Sequence, residues 1–413
     1  MIYIYRFLIN IILLISPIII LFRLLKKKED VIRFKEKFSF YSKKRKKGKL
    51  IWFHAASVGE FLSVLSLIEK LEKSKKISQI LLTTSTLTSS KLFMKFKFKK
   101  TIHQFYPIDS NFISKRFLNF WRPNLAIFID SEIWPNMLMN LKERSIKRIL
   151  LNARISKKSF KKWKRLGKFS KLIFQIFDYT YPQNLESKYH LQRFGVNKIK
   201  TLGNLKFSQS NYNIYKSNKN FDNFLKTKKI WCAASTHPGE EEICISVYQK
   251  LLKKYSNLIL VLIPRHVDRV GDIKKFMIKF DLKYHIHSQK NVINKDTKIY
   301  IVDTYGETGF FFKKCKIVFL GKSLTVDGGQ NPLEPARDNC LIIHGPHISN
   351  FKEIYDNLDN KKIAFKINNS NQLYKKIENL LKSNSKKLKK SNKINLIGSK
   401  ILKRNLNEIE RLI

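Results

Sequence analysis

The sequence predicts an α/β protein of two parallel-sheet halves behind an apolar amino-terminal helix. Three observations carry that expectation. Short apolar runs alternate with helical periodicity over 50–207, and the same alternation restarts at 230. Between the halves, 208–229 (SQSNYNIYKSNKNFDNFLKTKK) is polar, Asn-rich and without apolar periodicity, which reads as a linker. Residues 1–25 form one apolar stretch followed by Lys26-Lys27-Lys28. At 413 residues the chain also exceeds one ordinary core, so two domains are the prior.

Taken in order, 1–25 (MIYIYRFLINIILLISPIIILFRLL) reads as a membrane anchor. The stretch from Phe7 to Phe22 is shorter than the roughly 20 residues of a full span, so it either tilts across the bilayer or lies at its interface. The basic residues behind it place the remainder on the cytoplasmic face, and no small-residue cleavage site marks a signal peptide. Residues 26–49 are a basic juxtamembrane segment with interleaved aromatics, suited to anionic headgroups; a nucleic-acid arm is the alternative.

The stretch from Leu50 to Leu71 organises the first half. Leu50-Ile51-Trp52-Phe53 reads as a buried parallel strand, and Leu62, Leu65, Ile68 and Leu71 mark a helix face. The turn between them brings Ser57, Gly59 and Glu60 to the mouth where open α/β sheets bind ligands. Glu60 has two readings here: a first-turn glutamate complementing the helix dipole, or a general base. Further strands are expected at 77–84, 102–106, 124–129, 146–151 and around Thr201 and Leu202, with a helix over 111–120. The second half, 230–390, predicts strands at 230–234, 258–264, 298–302, 317–320 and 341–344. A last helix over 391–413 could pack back on the first half.

The net charge of +51 invites a polyanionic partner, although Lys, Ile and Asn are abundant throughout, as compositional drift would make them. Cys232, Cys244, Cys315 and Cys340 have neither CxxC spacing nor a histidine pattern, so no metal site is indicated.

The loops at the expected strand ends are more specific. HAASVGE (54–60), SEIWPN (131–136), LNARIS (151–156) and GNLKF (203–207) lie in the first half. STHPGEEE (235–242), PRH (264–266), DTYGE (303–307), GGQNPLEPA (328–336) and GPHISNF (345–351) lie in the second. In this order the chain resembles the 3-deoxy-D-manno-octulosonic acid (Kdo) transferases, glycosyltransferase family 30. The resemblance implies the GT-B architecture, two Rossmann-like domains facing a central cleft. It also implies an inverting transfer of Kdo from CMP-Kdo to a lipid A precursor, without metal or other cofactor.

On single residues, the resemblance implies that Glu60 is the proton acceptor and that Glu132 and Lys206 stabilise the transition state. It places CMP on Pro264 and Arg265, on Tyr305, Gly306 and Glu307, and on Asn331, Pro332, Leu333 and Glu334, with Glu334 accepting the ribose hydroxyls. His237 and His266, on matched loops, are left out of the catalytic set, and His237 is read as a candidate phosphate contact. Implied partners are the donor, the glycolipid acceptor and anionic inner-membrane lipids, with no nucleic acid. The chain departs from the family pattern at Gln330, where histidine is usual, at Lys322 and Ser89, where glycine is, and at Tyr305, where methionine is common. Two rival readings are a GT-B enzyme with another nucleotide-sugar donor and a non-catalytic basic binding protein.

Overall fold

The computed structural model describes residues 1–209, 219–289, 291–383 and 393–413. The chain divides into two compact units, Met1–Ser210 with Asn395–Ile413, and Asn211–Ile394.

The first unit is built on a six-stranded parallel sheet. Its strands are β1 (Leu50–His54), β2 (Gln79–Thr84), β3 (Thr101–Phe105), β4 (Leu125–Ile129), β5 (Lys147–Ala153) and β6 (Tyr179–Pro182). Their order is β3-β2-β1-β4-β5-β6, with every pairing parallel. The chain fills one side of β1 and then crosses to the other with β4. The loops after β1 and β4 therefore flank the point where strand order reverses, and ligands bind there in open α/β sheets. Both strands are buried along their whole length, which is why they read as continuous apolar runs rather than alternating ones. Trp52 is enclosed by Tyr106, Phe117 and Phe128, with the Phe117 ring centroid at 4.9 Å. Truncating such an indole to alanine costs about 3–5 kcal/mol.

The second unit carries β7 (Lys229–Thr236), β8 (Leu258–Pro264), β9 (Tyr284–Ile286), β10 (Ile299–Ile301), β11 (Ile317–Leu320), β12 (Leu341–His344) and β13 (Ala364–Lys366). Their order is β13-β12-β11-β7-β8-β10-β9, again all parallel. All four cysteines are buried free thiols.

Several expectations are corrected. The segment around Thr201 and Leu202 is not a strand; only an isolated bridge, Thr180 to Ile199, precedes it. The sixth strand is β6, whose Tyr-Thr-Tyr-Pro composition hid it among polar neighbours. The short edge strands β9 and β13 were also missed, three residues being too few to show a period. Of the expected linker 208–229, residues 210–218 lie outside the described residues. Lys219–Leu225 is a helix, held by Phe221 against Tyr300, Phe310 and Phe311. With Phe221 its one buried side chain, the helix left no apolar periodicity to read.

The carboxyl-terminal helix, Lys393–Leu412, packs within the first unit. Its Glu408 accepts from Tyr181 Oη at 3.1 Å and pairs with Lys200. A Cβ at Gly398 would collide with the carbonyl of Phe207, so glycine permits this helix to lie against the 205–208 turn.

Candidate active site

The amino end of the helix Val58–Leu71 delivers Glu60. Ser57 is the N-cap: its Oγ accepts from the Glu60 N–H at 3.4 Å and donates to Glu60 Oε1 at 3.1 Å. The Ala56 N–H donates to Glu60 Oε2 at 2.7 Å. This is a capping arrangement, so the two readings of Glu60 are not exclusive: the cap fixes the rotamer and aims the carboxylate. Burial, with the charges of Glu132 and Asp130, pushes its carboxyl up to about 7. A cap glutamate on an ordinary helix would titrate far lower.

Glu132 follows β4. Its Oε2 accepts from His54 Nε2 at 3.0 Å and from the Trp134 indole N–H at 2.8 Å. Burial alone would raise this carboxyl, but the bonds from His54 and Trp134 hold it below the usual glutamate range. Glu132 is therefore ionised and accepts only, so His54 Nε2 is the donor in their bond. His54 Nδ1 lies 3.1 Å from Thr83 Oγ1, and that hydroxyl takes the Trp52 indole N–H at 2.9 Å. The imidazole is fully buried and stacks on Tyr106 at 3.7 Å.

Asp130, between them, holds a left-handed backbone at φ 54°. Its Oδ1 accepts from Asn152 Nδ2 at 2.6 Å, and burial pushes its carboxyl up against the opposing charges of Lys206 and Arg154. Asn152, itself at φ 56°, also accepts from the Leu205 N–H at 2.9 Å. It thereby ties the end of β4 to the turn Leu205–Ser208 that carries Lys206. The Asn204 side chain caps that turn by accepting from the Lys206 N–H at 3.0 Å. Glu60, Glu132, Asp130 and Lys206 thus form one electrostatic neighbourhood in the first unit.

The residues expected to hold a nucleotide lie at the carboxyl ends of the second sheet. Pro264 ends β8, and the Arg265 N–H donates to Thr236 O at 3.0 Å while its side chain is exposed. Tyr305 is exposed, and Gly306 takes φ 86°. Glu307 Oε2 meets His287 Nε2 at 3.0 Å. Asn331 Oδ1 accepts from the Leu333 N–H at 3.1 Å. Glu334 opens the helix Leu333–Arg337, and burial pushes its carboxyl up against the hydrogen bond from Thr308. Gly328 and Gly329 have φ of 135° and 68°. Lys322, the departure from glycine, adopts φ 57°, a backbone that glycine takes more readily. Ser89 lies in a helix cap, its N–H on Thr86 Oγ1 at 3.2 Å.

Sequence reasoning missed His54, Asn152 and Glu240, all inside quoted motifs, and Asp130, one residue before SEIWPN. Glu240 is fully buried and takes four backbone N–H groups, from His237, Lys322, Ser323 and Leu324, at 2.8 to 3.0 Å. It holds the loop after β11 against the turn after β7.

Comparison with known proteins follows the geometry. The family model described as 3-deoxy-D-manno-octulosonic-acid transferase (kdotransferase) matches residues 32–209. A Rickettsia bellii 3-deoxy-D-manno-octulosonic acid transferase is 36% identical over 387 residues, covering 93% of this chain and 92% of the relative. The chain belongs to the Kdo transferase family. A second Kdo transferase, from Haemophilus influenzae, is 30% identical over 368 residues, covering 88% of this chain and 85% of the relative. The protein is accordingly a glycosyltransferase of that family, and its fold is GT-B. Among solved structures, UDP-GlcNAc 2-epimerase from Neisseria meningitidis bound to UDP-GlcNAc superposes with a TM-score of 0.58 at 12% identity, covering 86% of this chain and 100% of that one. A glycosyltransferase from Rickettsia africae gives 0.57 at 11% identity, covering 89% and 99%. At these identities the likeness is of fold alone.

Proposed function

We propose that this Kdo transferase moves Kdo from CMP-Kdo onto a hydroxyl of a lipid A precursor (lipid IVA) at the cytoplasmic face of the inner membrane. The acceptor oxygen attacks the anomeric carbon from the face opposite the departing CMP. As the new C–O bond forms, the bond to the phosphate oxygen breaks, its electron pair leaves with CMP, and the hydroxyl proton passes to Glu60. The observation that carries this reading is Glu60 itself, a carboxylate aimed by its own cap beside the strand-order reversal. With its carboxyl pushed up to about 7, it can take a proton at neutral pH and remain available as an anion.

Glu132, kept ionised by His54 and Trp134, would sit beside the oxocarbenium-like centre, and Lys206 would offset the charge on the leaving phosphate. In the second unit, Pro264, Arg265, Tyr305, Gly306, Glu307, Asn331, Pro332, Leu333 and Glu334 would bind CMP. The helix Ile2–Leu25 is long and apolar enough to cross a membrane, which supports a membrane-borne acceptor. The test is a donor screen with purified protein and lipid IVA. CMP-Kdo should give a product heavier by one or more Kdo units, whereas transfer only from a UDP-sugar would overturn the assignment.

A further inference from the structure

The helix Ile2–Leu25 is tied to the first unit near both of its ends. Near its start, Tyr5 Oη donates to Asp109 Oδ2 at 2.8 Å and Arg6 Nε donates to Asn136 Oδ1 at 3.1 Å. Asp109 also accepts the Asn136 and Met137 N–H groups, at 3.1 and 2.8 Å, at the head of the helix Pro135–Glu143. Near its end, Arg23 pairs with Glu29 at 2.6 Å, and Glu29 takes Lys37 at 2.6 Å. Lys37 sits on a short helical turn, Arg33–Phe38, that is bonded to the sheet. Glu36 accepts from the Phe105 N–H at 2.8 Å, and the Ile108 N–H donates to Lys37 O at 2.8 Å.

Between these ties one stripe is less exposed than the rest of the helix, half-buried at most positions and buried at two. Ile2, Tyr5, Arg6, Ile9, Leu13, Ser16, Ile20, Arg23 and Leu24 are the shielded positions, and their spacing of three and four is that of one helix face. Ser16 and Ile20 are 4% and 6% exposed. Tyr5, Arg6, Ser16 and Arg23 lie on this stripe, whereas Asn10 is exposed outside it. Apart from Asn10, the remaining surface is apolar and open, with Phe7 66%, Leu14 82% and Ile18 70% exposed.

A span would separate the two ties. Tyr5 and Arg23 are roughly 27 Å apart along the axis at about 1.5 Å per residue, close to the approximately 30 Å of a hydrocarbon core. Asp109 and Lys37 would then stand on opposite sides of a bilayer, although both belong to one water-facing α/β unit. A helix tied to its own unit near both ends can bury only its outer face in lipid.

We propose that this helix does not cross the membrane: it lies in the plane of one leaflet, its apolar face in the acyl boundary and the first unit resting on it. The occupant of that face is an anionic lipid surface, because Lys26, Lys27 and Lys28 follow the helix directly, are exposed, and belong to a chain of net charge +51. The arrangement hangs the helix Pro135–Glu143, which directly follows Glu132 and Trp134, on the lipid-bound element through Asp109 and Asn136. It deepens the reading of a membrane-borne acceptor, since the site and the lipid-bound helix then share one scaffold.

The test places an environment-sensitive nitrobenzoxadiazole label on Phe7→Cys, Leu14→Cys and Leu21→Cys of the full chain, the native cysteines being buried. Each variant is bound to vesicles of phosphatidylethanolamine and phosphatidylglycerol, and to phosphatidylcholine alone. Equal shallow depth at all three positions by nitroxide-lipid quenching, with binding to the anionic vesicles weakened several-fold by salt, is expected. Leu14 deepest, with Phe7 and Leu21 in opposite leaflets, would overturn the proposal. Failure to bind either vesicle, or labels shielded in solution by a second copy of the chain, would also overturn it. Kdo transfer to acceptor in detergent micelles is measured separately, so failure of the orientation is distinguishable from failure of the activity.

Discussion

His54 Nε2 stands 3.0 Å from the Glu132 carboxylate, and this bond joins the ends of β1 and β4 across the point where strand order reverses. The imidazole is locked by Tyr106 on its face and Thr83 at its other nitrogen, so the donor to Glu132 is held in one orientation. His54→Phe should keep the ring packing and remove the bond. We expect kcat to fall about 10- to 100-fold with little change in KM, the sign of a lost transition-state interaction. Restoration of most of the rate by His54→Gln, which can still donate, would separate positioning from packing.

The pH profile should report Glu60. Its carboxyl is pushed up to about 7, so kcat/KM should rise with pH through about that value as the base becomes an anion. Glu132 contributes to that upward push by its negative charge. Glu132→Gln should therefore move the rising limb to lower pH while lowering the plateau. A limb that stays in place would show that the two carboxylates do not communicate.

The same group affects stability with the opposite sign to a salt-bridged acid. A buried carboxyl whose folded pKa lies above its unfolded value binds more protons when folded, so its contribution weakens as pH rises from about 4.5 to about 7. Glu60→Gln removes that penalty. Against wild type, the variant should gain stability on going from pH 5 to pH 8, by roughly 2 kcal/mol, as read by denaturant unfolding at the two pH values.

Much of this architecture was legible in the sequence because central parallel strands are buried on both faces. Leu50–His54, Leu258–Pro264, Ile317–Leu320 and Leu341–His344 are all fully covered, and their apolar runs stand out against polar loops. The edge strands β9 and β13 and the helix Lys219–Leu225 were not legible, because one or two buried side chains leave no period, and β6 was hidden by its Tyr and Thr composition, whereas the edge strand β3 was expected at 102–106. In the site, Glu60, Glu132 and Lys206 could be placed on loops by motif. The residues that hold them could not. Asn152 acts through a left-handed backbone and an amide reaching two distant segments, and Glu240 acts through backbone N–H groups 82 to 84 residues away. Neither relationship has a local signature.

Glu240 yields a structural prediction. Glu240→Ala leaves four N–H groups without that acceptor, the one of Ser323 buried and the other three part-buried, and a buried one costs about 1–3 kcal/mol if unsatisfied. The second unit should lose more than about 3 kcal/mol, seen as an early thermal transition, whereas half-exposed Glu242→Ala nearby should change it by less than about 0.5 kcal/mol.

The central claim is that Glu60 takes the acceptor proton, and the most direct measurement is transfer from CMP-Kdo to lipid IVA by wild type and by Glu60→Gln at saturating substrates. The account predicts Kdo-bearing product from wild type and a loss of at least about 10³-fold in kcat for the variant, with CMP-Kdo affinity unchanged. Equal rates, with the pH dependence intact in both, would contradict it.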